Sequence, residues 1–177
     1  MAGVNYAGFS DPVMNASLLT GYVATLKAAP GQPATTAANN KALIFGVPLF
    51  GAQLVARTGG FAPDSAGNNS TVKYSAITNF ALPGGALSSP IFVAKLAGPG
   101  ITVKNNVAVF ARDTNGTVRR LMQTGQKLSS QTVSKITLLK ATPQAFAAQR
   151  SFNKDGGVVM LLGFTDHTTG ILRVDVP

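Results

Sequence analysis

The 177-residue chain has no cysteine, no tryptophan, no glutamate and a single histidine. The lack of cysteine excludes a disulfide framework, a thiolate zinc site and a cysteine nucleophile. Without glutamate, a helix loses one of the residues that usually cover its wet face, so the composition points to strands. All six acids are aspartates, at positions 11, 64, 113, 155, 166 and 175. Charged residues make up only 12% of the chain and apolar residues 45%, where an ordinary domain spends roughly 25% on charge. Such a chain buries a core rather than staying disordered. Long apolar runs are missing too: no segment approaches the ~18 residues of a membrane-spanning helix. Residues 1–26 carry neither Lys nor Arg and no compact apolar run, so no signal peptide is expected within this sequence.

What is present is turn material and positive charge. Glycine (19) and proline (10) imply frequent turns, and fifteen basic residues against six acidic ones give a net charge of +9. Residues 1–90 hold +2 of that charge and residues 91–177 hold +7. The bias favours an anionic partner: acidic polysaccharide, nucleic acid or a membrane surface. The basic residues are scattered, and only Arg119 and Arg120 are adjacent. Strand alternation would send those two to opposite faces. Lys104, Arg112, Arg119, Arg120 and Arg150 are the candidate ligand-binding residues, with an anionic polysaccharide favoured over nucleic acid.

The chain repeats itself. Tyr22-Val23-Ala24-Thr25-Leu26 and Phe92-Val93-Ala94-Lys95-Leu96 share one alternating pattern. A Pro/Gly loop follows each, then an Asn pair, Asn39-Asn40 or Asn105-Asn106, then an apolar strand. Thr58-Gly59 and Thr124-Gly125 end the next strand, each Gly 19 residues beyond the second Asn. A partial third copy begins near Val159, so first strands start at 22, 92 and 159. The approximate copies are 9–70, 71–131 and 132–177, about two and a half in one repeat-built domain. Asp113-Thr114-Asn115-Gly116 between alternating segments is a hairpin signal, since Asn and Gly tolerate positive φ. Thr142-Pro143 ahead of Gln144–Arg150 suggests one helical turn.

Motifs for chemistry are sparse. There is no P-loop, no dinucleotide fingerprint, no nucleophile elbow and no His-Glu-x-x-His. His167, beside Asp166, is expected in an exposed turn. Phe45, Phe92, Phe110 and Phe164 are expected in the core, while Tyr22 and Tyr74 have the chemistry to stack on sugars or bases. Each predicted turn holds a single Asp, too few for a calcium loop, so no metal or cofactor is assigned.

Ser151-Phe152-Asn153-Lys154-Asp155-Gly156-Gly157-Val158-Val159-Met160 resembles the Asn-x-x-Gly-x-x-Phe signature of a bacterial choice-of-anchor tandem-repeat family, often carrying a PEP-CTERM anchor. Phe9-Ser10-Asp11-Pro12-Val13-Met14-Asn15 resembles the segment that introduces that signature, although Leu18 stands where its Gly belongs. Val55–Pro63 resembles the recurrent Arg-x-Gly-x-x-Ala-Pro segment, and Gly163–Ile171 the usual last repeat. The resemblance implies an exported or cell-surface protein, propeller-like and without assigned activity. It also gives Asn153 and Gly156, with Asn115 and Gly116, the role of structural turns.

The expected fold is therefore all-β, built of repeated four-stranded antiparallel units like propeller blades. Two and a half blades fall short of the roughly 4–8 of a closed ring, so homo-oligomers through exposed blade edges are expected. The expected function is a non-catalytic binding module. The alternative is a glycan-acting hydrolase or lyase, which would need two aspartates brought within about 5–10 Å in one cleft.

Overall fold

The computed structural model describes residues 4–15, 17–31, 35–47, 51–83, 89–138 and 156–176. Fourteen strands form three sheets, every pairing among the described residues is antiparallel, and these residues include no helix. The suggested helical turn before Arg150 lies outside them. The first sheet runs β1 (Val4–Phe9), β3 (Thr20–Ala28), β4 (Lys41–Val47), β5 (Gly51–Arg57), with the two-residue β2 (Val13–Met14) also on β3. The second runs β6 (Phe61–Pro63), β7 (Asn69–Ala81), β8 (Ile91–Ala97), β9 (Val107–Arg112), β10 (Val118–Gln123). The third runs β11 (Lys127–Leu128), β12 (Gln131–Leu138), β13 (Gly157–Phe164), β14 (Thr169–Asp175).

The second sheet does not stay flat. Register shifts bend β7 at Tyr74/Ala76 and again at Ile77/Asn79, as bulges do. The curl brings its two edges together: the Arg120 amide donates to the Asp64 carbonyl at 3.0 Å. The result is a half-barrel whose opposite edges, β6 and β10, meet through the loop after β6.

The sequence repeat reappears bond for bond. The amide of Leu26 donates to the Asn40 carbonyl and that of Leu96 to the Asn106 carbonyl, both at 2.7 Å. Buried Thr58 and Thr124 accept the amides of Lys41 and Val107 at 3.1 and 3.2 Å. Gly59 and Gly125 donate to the Tyr74 and Val133 carbonyls, again at 2.7 Å. Asn39 and Asn105 each close their loop by accepting the Thr36 or Thr102 amide. Both glycines have positive φ, and a Cβ on either would press on Asn39 or Asn105. That contact explains why Asn and Gly recur together across the copies.

The faces repeat as well. In the second sheet Phe92, Ala94, Leu96, Ala108 and Phe110 pack with Tyr74 against Leu43 and Ala56 of the first sheet. On its other face Ile91, Val109 and Ala111 pack against Val133, Val158, Met160 and Leu162 of the third. Strand β9 thus feeds two cores from its alternate residues, as a period of two demands. In the first sheet Tyr22, Ala24, Leu26, Ala42 and Ile44 form a third apolar cluster, the counterpart of Phe92, Ala94, Leu96, Ala108 and Phe110. In the third sheet the counterparts of Val109 and Ala111 are Arg173 and Asp175, an exposed ion pair at 2.9 Å.

Candidate functional site

The β9–β10 hairpin carries most of the candidate residues. Its turn forms because the Asp113 carboxylate accepts the Thr117 amide at 2.8 Å, and Gly116 takes φ +86°. Asn115 is exposed within that turn. Asp113 is fully buried and pairs with Arg119 Nε at 2.8 Å. Burial alone would raise its pKa; the Arg119 and Thr117 hydrogen bonds outweigh that and hold it below the usual carboxylate range. Arg119 also donates to the Ala66 carbonyl at 2.6 Å, tying the hairpin to the loop after β6. Arg112 lies over the Phe45 ring at 5.1 Å and donates to Gln53 at 2.9 Å. Both guanidinium groups are thus committed to internal contacts.

Lys104 and Arg120 are differently placed. Lys104 is exposed in the loop between β8 and β9. Arg120 borders a hollow of about 320 Å³ with Ser65, Asn105, Gln123, Thr124 and Gln126. Among the described residues its guanidinium has no hydrogen-bond or ion-pair partner. Two features build this hollow. Gln123 donates from its amide to the Asn105 carbonyl at 2.7 Å, and the Gly125 turn brings Asn105 against the end of β10. Arg112, paired with Val118, lies at the turn end of the same ladder, and Arg119 is the residue before Arg120 in it. Of the five candidates, Arg120 lines the hollow, Lys104 is exposed on the neighbouring loop, Arg112 and Arg119 are bonded elsewhere, and Arg150 lies outside the described residues. Ser65 and Gln126 were invisible as site residues in the sequence, because the curl of the second sheet alone brings Ser65 across.

Asp64 and Asp166 also hold turns. Asp64 accepts the amides of Ala66 and Asn68, both at 2.9 Å, and the Asn68 bond is the largest cause of its lowered pKa. Asp166 accepts the Thr168 hydroxyl at 2.6 Å and the Gln131 amide at 2.9 Å, which bring its pKa to about 2. These carboxylates stay ionised and acceptor-only, the wrong state for a proton donor. No group of three or more His or acidic side chains gathers among the described residues. His167 is exposed at φ +65°, as its turn position suggested. Asn153 lies outside the described residues, while Gly156 leads into β13 at φ +90° and accepts the Val176 amide.

Asn15 closes the turn that follows it. Its side chain accepts the amides of Ser17 and Leu19 at 3.0 and 3.1 Å and donates to the Pro83 carbonyl at 2.6 Å. Leu18, standing at the Gly position, has φ +60°.

Aromatic placement corrects one expectation. Tyr74 is no stacking platform: it is 3% exposed, with Phe92 and Phe110 rings 5.8 and 5.2 Å away. Tyr22 is half-buried, and its neighbour Phe9 is 61% exposed at 5.4 Å. Tyr6 continues the row 5.2 Å from Phe9. The Phe9 and Tyr22 rings border an open groove of about 620 Å³ floored by Thr20, Gly46 and Ala52. Burial, and then Tyr6 beside it, push the Tyr22 phenol up.

Fold and hollow define an all-β protein of internally repeated antiparallel sheets with a polar recess on its second sheet. Along residues 1–177 the chain belongs to a family of unknown function, DUF7453. No curated protein and no solved structure matches it. Among the described residues no helix is long and apolar enough to cross a membrane.

Proposed function

We propose that the chain is a non-catalytic binding module of an exported or cell-surface protein, its three sheets arranged like successive propeller blades. The ligand is an anionic polysaccharide held in the hollow at Arg120, with Lys104 on the neighbouring loop. One observation carries this reading: among the described candidates, Arg120 is the guanidinium without an internal partner, and amide and hydroxyl side chains surround it. A guanidinium in such a setting offers paired donors to a carboxylate or sulfate, and the amides suit sugar hydroxyls. The blade reading rests on face-to-face packing of the sheets and on the repeated junction bonds.

The test is retention on an immobilised acidic polysaccharide at low and high salt. Arg120→Ala is expected to weaken binding about tenfold, as losing one charge-assisted hydrogen bond of ~1.5 kcal/mol would. Arg112→Ala should leave it unchanged, because that side chain is stacked on Phe45. Equal retention of the Arg120→Ala and parent proteins would remove the hollow as the site.

A further inference from the structure

The apolar clusters follow a rule that breaks at the outer face of the first sheet. Phe92, Ala94, Leu96, Ala108 and Phe110 on the second sheet are covered by the first sheet. Their repeat counterparts on the first sheet, Tyr22, Ala24, Leu26, Ala42 and Ile44, face away from the second sheet. The inner part of this face is buried, but its rim is open: Phe9, 61% exposed, and Val47, 38%, line the 620 Å³ groove, and Tyr6, 46% exposed, lies beside Phe9. The far face of the third sheet ends differently. There Arg173 and Asp175 replace the apolar pair Val109 and Ala111, and Lys135 is exposed opposite Gly163 at the other end of the sheet. That face carries the Arg173–Asp175 ion pair alongside exposed Ile171 and Leu161.

We propose that the aromatic rim of the first sheet is the docking surface for the same surface on a second copy of this chain, giving a two-fold dimer. Within the chain, the equivalent face is closed by another sheet of the same repeat, so the fitting occupant is a sheet of that kind. The far face of the third sheet is not that occupant, because its charges would be desolvated against aromatic rings. Electrostatics select the same contact. Two copies at +9 each repel, and most of the charge lies in residues 91–177. No charged residue is among the described residues lining the groove. An uncharged, self-matching patch is what an isologous interface requires. The contact is between faces and leaves the strand edges free.

Light scattering and sedimentation from low micromolar to millimolar protein test this. The parent chain should approach twice its monomer mass as concentration rises, and added salt should strengthen the association by screening repulsion. Phe9→Lys should remain monomeric over the whole range. Ile171→Lys, on the 78% exposed far side of the third sheet, should dimerise like the parent. Both substitutions are at exposed positions, and circular dichroism checks that each variant folds. A parent chain monomeric throughout overturns the proposal. So does loss of association in Ile171→Lys with retention in Phe9→Lys, which would place the contact on the third sheet. A monomeric parent that binds neutral oligosaccharide through Phe9 would make the rim a sugar platform instead.

Discussion

Leu18 and Tyr74 each sit in a setting their side chains do not favour, and each makes a prediction. At φ +60° a leucine pays a left-handed penalty of roughly 1–2 kcal/mol. Leu18→Gly should therefore raise stability by about 0.5–1 kcal/mol after the greater freedom of glycine in the unfolded chain is subtracted. Urea unfolding measures this, and a lower midpoint would show that the exposed leucine has a contact worth keeping. The Tyr74 hydroxyl is buried without a hydrogen-bond partner, and burial raises its pKa, so it stays protonated. Tyr74→Phe removes an unsatisfied group and should stabilise by about 1 kcal/mol; a loss of stability would argue that a water satisfies the hydroxyl. The resemblance to the Asn-x-x-Gly signature set a glycine where Leu18 stands, an expectation that its φ of +60° suits. It could not show Tyr74 as core, because strand alternation gives two faces and only the packed sheets decide which is dry.

The turns and junctions that join the strands carry the polar chemistry. Thr58→Val and Thr124→Val should each cost about 1–2 kcal/mol, since each removes the hydroxyl that accepts a strand amide. Similar losses at the two sites would follow from their matching bonds, and thermal unfolding of the two variants compares them. The aspartate turns set a pH dependence. Asp64, Asp113 and Asp166 have folded pKa values below the unfolded value of about 4. As pH falls, the unfolded chain takes up protons first, so their stabilisation is complete above that value and is lost toward about 2, the folded pKa of Asp166. Urea midpoints that fall between pH 5 and pH 2 would fit; midpoints that rise would contradict the turn role. The β9–β10 hairpin was legible because Asn-Gly has a local cause. The meeting of β6 with β10 was not, because it depends on bulges in β7 that no short pattern announces.

The three sheets share their cores through the second one. Phe110 faces the first sheet and its neighbours Val109 and Ala111 face the third. Phe110→Ala should cost about 3–5 kcal/mol, and unfolding should remain one transition by far- and near-ultraviolet circular dichroism. Two separated transitions would mean that the third sheet holds by itself. Composition, with no glutamate and many turn residues, exposed the all-β class, while the way strands are shared between sheets came only from the pairing. Each short strand after a Thr-Gly turn, β6 or β11, joins the sheet of the following copy. The same junction has a use in building. A duplicate of the 66-residue stretch from Gly60 to Gly125, spliced after Gly125, would find the donors and acceptors its original uses. The insert has an even number of residues, so alternation keeps inward side chains inward. The protein can thus be lengthened one plate at a time, and a one-residue error in the splice would turn a dry face outward.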